Sequence, residues 1–219
     1  MTITVFWASG SCPSWRVLLT CEHKRLAYES QLLEFSRREH KSAEHLAMNP
    51  RGKVPVLRDG DHALYESIAI IAYLEAKYPE RPVLGRTPAE TGLVWRHMSE
   101  VMAYLEPALD RVCIPIYRGT AGEQIDAVRS AARDVAGELA RFESRLAGAD
   151  WLVGDGPTAA DFALVPQVGH LLRATGKPAA QDLDLEIAPV DARFPAITTW
   201  WERVRSLPGF DRTYPPHWK

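Results

Sequence analysis

Residues 2–17, TITVFWASGSCPSWRV, decide how the chain is to be read. A β-branched and aromatic run (Ile3, Val5, Phe6, Trp7) gives way to the small polar cluster Ala8-Ser9-Gly10-Ser11, and a helical pattern opens at Pro13. The stretch reads as strand, loop, helix. Proline suits the first helical position, where its missing N–H has no intrahelical partner, which predicts Cys12 near the N-cap and Ser11 just outside it. Both then face a helix N-terminus, whose unpaired N–H groups and positive dipole end favour an anion, whether a side-chain thiolate or the thiolate of a ligand. This makes the stretch a candidate thiol site.

The rest of the composition narrows the setting. At 219 residues the chain is long enough for one large domain or two modest ones. Its 46% hydrophobic and 25% charged residues are ordinary for a globular protein, and a net charge of −2 supplies no basic field for nucleic acid. Three cysteines, Cys12, Cys21 and Cys113, at unrelated spacings form neither a disulfide framework nor a zinc pattern, so no metal is expected and a reducing compartment is. No secretory signal is visible, and no apolar run approaches the ~20 residues of a membrane span. The expectation is a cytoplasmic protein without membrane or nucleic-acid partners.

Downstream, Trp15, Leu18 and Leu19 make a short apolar helix face ending near His23, and 28–33 reads as a second strand. Residues 34–45 set Arg37, Arg38, His40, Lys41 and His45 against three glutamates, a charge run that elsewhere would be only a solvated face. Pro55, at the start of the strand-like 54–57, marks an edge, a bulge or a cis bond and would leave the backbone of Val54 free. Residues 58–61, RDGD, signal a hairpin, 62–65 is its returning strand, and Glu66-Ser67 opens a helix that Pro79 ends. Residues 1–79 thus form a small α/β unit, 80–88 (ERPVLGRTP) a linker, and 89–219 a helical domain without strand patterns. In that domain a long helix over 89–117 is expected to bend at Pro107 and Pro115, a second runs over 122–146, and 195–207 forms a last helix before an aromatic tail. Thr158 and Asp161 read as a capping box opening another helix.

Taken together these segments resemble a glutathione transferase: an α/β thioredoxin-like N-terminal domain plus an all-α C-terminal helical domain. Residues 11–17, SCPSWRV, look like the serine-type active-site turn of the phi, theta and zeta classes, with Ser11 five residues before Arg16. Residues 40–46, HKSAEHL, followed by NPRGKVP at 49–55, are similar to the plant phi class. Glu66-Ser67 matches the family's acid-serine pair, and WLVGDGPTAAD at 151–161 its helix-capping motif. The chain departs from the pattern at two places. Cys12-Pro13 looks like the cysteine-type site of omega transferases and glutaredoxins but stands four residues before Arg16, and Lys53 replaces the glutamine common in the phi class.

The resemblance implies glutathione as co-substrate, a small electrophile as its partner, and a homodimer. It implies that Glu66 pairs the ammonium of glutathione, that Ser67 and its helix N-terminus hold the adjacent carboxylate, and that the backbone of Val54, before Pro55, pairs with the cysteinyl unit. His40, Lys41 and Lys53 would gather around the glycine carboxylate. Ser11 would donate a hydrogen bond to the sulfur and favour thiolate, serving a transferase or a zeta-like isomerase. Alternatives stay open: Cys12 as the nucleophile of a thiol-disulfide reductase, or a non-catalytic glutathione-fold module. Tyr104, Arg111 and Tyr117 on the first long helix face either an electrophile pocket or the packing of the core or of a dimer.

Overall fold

The computed structural model describes residues 2–218, which divide into two compact units: the chain up to Leu84 together with the segment from Leu207 onward, and the intervening 85–206. The first unit is built on a four-stranded sheet. Strand β1 (Ile3–Trp7) is buried along its whole length, as a β-branched, aromatic strand with neighbours on both sides should be. Helix α1 (Cys12–His23) returns the chain to β2 (Tyr28–Leu32), which runs parallel to β1. After a 3₁₀ turn (Glu39–Lys41) and the short helix α2 (Ala43–Met48), β3 (Val56–Asp59) and β4 (His62–Tyr65) form an antiparallel hairpin, giving the order β2-β1-β3-β4. Helix α3 (Ser67–Lys77) follows, its Ile70, Ile71 and Leu74 fully buried.

Among the described residues the second unit contains helices only. Helix α4 (Pro88–Glu100) passes through a π-helical turn (Val101–Leu105) into α5 (Glu106–Arg118). Pro107, where the sequence suggests a bend, follows this turn by two residues. Proline lacks the N–H that the α-ladder requires and its ring crowds the carbonyl four residues back, and the wider turn, in which the Glu106 N–H bonds to the Val101 carbonyl, accommodates both defects. Next come α6 (Ile125–Leu146), α7 (Ala159–Thr175), the short helices α8 (Pro178–Gln181) and α9 (Val190–Arg193), and α10 (Pro195–Arg205). The apolar stripe of α6, from Val128 through Val135 and Leu139 to Phe142, closes the core.

One organisational expectation is corrected. The sequence assigns everything after residue 88 to the helical domain, yet the segment from Leu207 onward joins the sheet unit. It forms α11 (Phe210–Thr213) and a 3₁₀ turn (Pro216–Trp218) around Trp15 of α1. The rings of Phe210, Tyr214 and Trp218 stand 5.9, 5.5 and 5.6 Å from that of Trp15, whose indole N–H donates to Thr213 Oγ1 at 2.9 Å. Arg212 adds an ion pair with Glu22.

A pH dependence follows from the helical unit. Burial, reinforced by Arg173, pushes the His170 pKa down to about 4, while Tyr117 stacks on its ring at 5.3 Å. Unfolding restores a pKa near ~6.5, so the unfolded chain binds the proton first: this stability is complete above that value and drains away as pH falls towards 4. Replacing His170 by phenylalanine, which keeps the stacking, should flatten the loss by about 3 kcal/mol between pH 7 and pH 4. Denaturant titrations of the two proteins across that range measure it.

Candidate active site

The sheet register gathers the predicted thiol-site segments at one end of the first unit. Phe6 pairs with Val56 and Val56 with Tyr65, so the loop after β1, the residues before β3 and the residues after β4 all leave the sheet at the same end of the strands. Strand pairing alone thus brings the segments bearing Ser11, Val54-Pro55 and Glu66-Ser67, far apart in the chain, to the same end of the sheet.

In the loop, the Ser11 N–H donates to the Ala8 carbonyl at 3.1 Å and closes a turn. Ser11 is itself the N-cap of α1: its backbone is extended (φ −77, ψ 109) and its hydroxyl oxygen accepts the Ser14 N–H at 3.3 Å. The helix therefore starts one residue earlier than expected, at Cys12, with Pro13 second. The second N–H of a helix lacks an intrahelical partner just as the first does, so proline fits either place. Because the hydroxyl oxygen accepts while its proton remains available to donate, Ser11 supplies a hydrogen-bond donor at the positive end of a helix. Cys12 is half-buried at the first helical position, whereas Cys21 and Cys113 lie wholly in the core. Burial beside Glu22 pushes the Cys21 thiol up to about 12, which keeps it protonated and inert. Arg16 is 1% exposed, a buried cation of α1.

The Val54–Pro55 peptide bond is cis. Among the described residues the N–H and C=O of Val54 take part in no hydrogen bond, leaving a strand-like edge for an extended peptide. The preceding carbonyl is fixed from behind: the Lys53 C=O accepts from His45 Nε2 at 2.9 Å and from Asn49 Nδ2 at 2.8 Å. These two positioning residues were missed as such in the sequence. The available signal was Ser42, whose hydroxyl accepts the His45 N–H and caps α2, turning His45 inward to 2% exposure while its charged neighbours stay in solvent. Lys53 itself is exposed.

Lys41 reaches across this turn to the Arg51 carbonyl at 3.1 Å. Gly52, at φ +56, permits that path, since a Cβ there would stand 2.6 Å from Lys41 Nζ. His40 packs on Phe35 at 4.3 Å, and its pKa is lowered by burial and by the nearby charge of Lys41. The cations around the turn are thus Lys41, Lys53 and Arg51, while the lowered pKa of His40 disfavours a charge on its ring.

At the third segment Glu66 adopts φ +71, ψ 112, a strained conformation for a residue with a side chain, and it turns directly into α3. No side chain caps α3, and Ser67, 6% exposed, is its first residue. The helix therefore offers its leading N–H groups to an external acceptor such as a carboxylate. The Glu66 carboxylate is exposed, 3.9 Å from Arg51 Nε.

The three side chains predicted on the first long helix lie in the second unit. Tyr104 is 61% exposed on the π-helical turn. Arg111 is engaged with Asp134 of α6 at 2.7 Å, and the Tyr117 hydroxyl donates to the His170 carbonyl at 3.1 Å beneath the guanidinium of Arg173. Within the helical unit Arg111 thus forms an exposed ion pair between α5 and α6, and Tyr117 a contact with α7.

A thioredoxin-like sheet unit with a cis-proline edge, joined to a helical unit, is the class of protein these features define. Comparison with known proteins narrows it. Residues 6–82 match the model of the glutathione S-transferase N-terminal domain, and 105–208 that of the glutathione S-transferase C-terminal domain. Glutathione S-transferase A of Pleuronectes platessa is 29% identical over 221 residues, spanning 99% of this chain and 92% of that protein. Glutathione S-transferase 1 of Zea mays is 31% identical over 211 residues, spanning 93% and 92%. The crystal structure of a glutathione S-transferase from the Antarctic clam Laternula elliptica, 28% identical, superposes with a TM-score of 0.80 over 100% of this chain and 94% of its own. The chain belongs to the glutathione S-transferase family. Among the described residues no helix is long and apolar enough to cross a membrane.

Proposed function

We propose that this transferase binds glutathione along the edge formed by residues 8–11, 54–55 and 66–67 and uses Ser11 to hold its thiol as thiolate for attack on a small electrophile. The observation that carries the reading is the capping geometry of Ser11: its oxygen accepts the Ser14 N–H, which leaves its proton able to donate to a group beyond the helix N-terminus. Glu66 pairs the ammonium of the tripeptide, and Ser67 with the uncapped start of α3 takes the neighbouring carboxylate. Val54 forms backbone hydrogen bonds with the cysteinyl unit, and Lys41 and Lys53, with His40, receive the glycine carboxylate.

The energetics are sufficient. Moving a thiol from a pKa of ~8.5 to ~6.5 needs about 2.7 kcal/mol of preferential thiolate stabilisation. A charge-assisted hydrogen bond contributes ~1.5–3 kcal/mol and a helix N-terminus ~0.3–2 kcal/mol. The thiol proton leaves to solvent, the sulfur lone pair forms a bond to the electrophilic carbon, and the leaving group departs with its electron pair. Where the electrophile is an activated double bond, thiolate addition, rotation about the resulting C–C single bond and expulsion of the thiolate give an isomerase.

A second reading is favoured by one observation, the half-buried Cys12 at the first turn of α1, which suits a thiol-disulfide reductase with Cys12 as nucleophile. Single alanine variants separate the two. Ser11→Ala should lower kcat/KM by roughly 10–100-fold and return the bound thiol towards a pKa of ~8.5, with about 1 kcal/mol of stability lost from the cap. Cys12→Ala should keep transferase activity. Full activity in Ser11→Ala together with loss in Cys12→Ala reverses the assignment. The homodimer belongs to the same proposal, supported by Leu93, Trp95 and Met102, each more than a third exposed along α4 and the turn after it. A monomeric mass in sedimentation equilibrium would count against it.

A further inference from the structure

The segment that follows α10 touches the loop bearing Ser11, and the mechanism above makes no use of it. His217 Nδ1 is hydrogen-bonded to the Ser9 hydroxyl, and His217 Nε2 lies 3.0 Å from the Trp218 indole nitrogen. An indole N–H only donates, so Nε2 is the accepting nitrogen and Nδ1 carries the proton offered to Ser9 Oγ. Gly10, between Ser9 and Ser11, has φ +80, and a Cβ there would stand 2.9 Å from His217 Cε1 and 3.3 Å from Trp218 Nε1. The segment thus lies directly on the backbone of the loop. It is anchored on the far side by Trp15, Thr213 and Tyr214, so one stretch of chain grips both α1 and the loop that leads into it.

Apart from this grip, among the described residues the loop is closed by the turn bond from Ser11 N–H to Ala8 C=O, and Ser9 and Gly10 are only half-buried. The direction of a hydroxyl matters, because a hydrogen bond weakens steeply as its angle opens. We propose that His217 is a positioning residue of the thiol site: by bonding Ser9 and packing on Gly10 it holds residues 8–11 in the conformation that aims the Ser11 hydroxyl at the glutathione sulfur. This rests on the reading of Ser11 given above. His217 transfers no proton in the reaction; it determines how narrowly the serine donor is directed.

The test uses the full chain, glutathione as the probe, and a halogenated nitroaromatic as electrophile, with the pKa of the bound thiol read from thiolate absorbance across pH. His217→Ala should raise that pKa and lower kcat/KM by about 3–10-fold, with KM for glutathione nearly unchanged. Ser9→Ala should do the same, the double variant should do no more than either alone, and His217→Asn, whose amide N–H stands near the position of Nδ1, should recover most of the loss. If His217→Ala and Ser9→Ala both leave the bound-thiol pKa unchanged, even with a lowered melting temperature, the segment is packing alone and the proposal is overturned. Ser11→Ala in the same assay keeps the two ideas apart. A normal pKa and rate in that variant removes the serine reading itself, whereas their loss there, with neither changed in His217→Ala, removes only the role given to His217.

Discussion

Asp161→Ala should destabilise the helical unit by about 3–5 kcal/mol, enough to threaten folding at physiological temperature. Asp161 is 0% exposed, and its carboxylate accepts four hydrogen bonds: from Leu152 N–H at 3.1 Å, Thr158 N–H at 2.9 Å, Thr158 Oγ1 at 3.0 Å and Trp200 Nε1 at 2.9 Å. One side chain thereby joins the start of α7, the loop before it and α10. Burial pushes its pKa up, and the donors pull against that shift. Alanine would leave all four donors buried without an acceptor, each unsatisfied group costing ~1–3 kcal/mol before water or relaxation recovers part of it. Asp161→Asn would not restore the site, because the amide nitrogen it introduces would face donors. Chemical denaturation of both variants, followed by tryptophan fluorescence because Trp200 reports directly, measures the loss; a change within about 1 kcal/mol for alanine would refute this account of the cap.

Lys24→Met should cost the sheet unit a similar amount, about 3–5 kcal/mol. The Lys24 side chain is 1% exposed, and its ammonium donates to the Tyr78 and Arg81 carbonyls at 2.8 Å each while pairing with Glu75 at 2.6 Å. The Glu75 carboxylate in turn accepts the N–H groups of Val83 and Leu84 at 3.1 Å. The pair clasps the chain as it leaves α3, where Pro79 has already stopped the helix and no regular structure can satisfy the backbone. Methionine fills the stem volume but strands two carbonyls and a carboxylate. Converting Glu75 to glutamine in the same chain removes the stranded charge, so Lys24→Met/Glu75→Gln should be less destabilised than the sum of the single variants. Strict additivity in a double-variant cycle would show that the two side chains do not act together.

Much of the architecture was legible because it is written locally. The β-branched and aromatic run of Ile3 to Trp7, the breaking cluster before Pro13, the RDGD hairpin and the Thr158 to Asp161 box each constrain their own neighbourhood, and the elements formed at or within a residue of those signals. In the candidate site the helix start at Pro13 and the break at Pro55 are likewise short-range patterns, although the cap falls on Ser11 where the sequence pointed to Cys12. What was not legible depends on partners remote in sequence. Helix α2 is hidden in a charge run because only His45 of its six residues is buried, and its role is to hold the Lys53 carbonyl, a contact no periodicity encodes. The aromatic segment after α10 advertises that it packs but not on what; its partner, Trp15, lies 198 residues before Thr213. Tyr117 and Arg111 were equally ambiguous, because a polar aromatic or a cation on a helix shows the same pattern whether it meets a ligand or a neighbouring helix.

The π-helical turn ahead of Pro107 also bears on how this chain can change length. Such a turn is an extra residue stored inside a continuous helix, tolerated because the proline has already broken the ladder at that point. A descendant that replaced Pro107 by a residue with an amide hydrogen could shed one residue from 101–105 and regain ordinary winding. Insertions and deletions here need not be confined to surface connections.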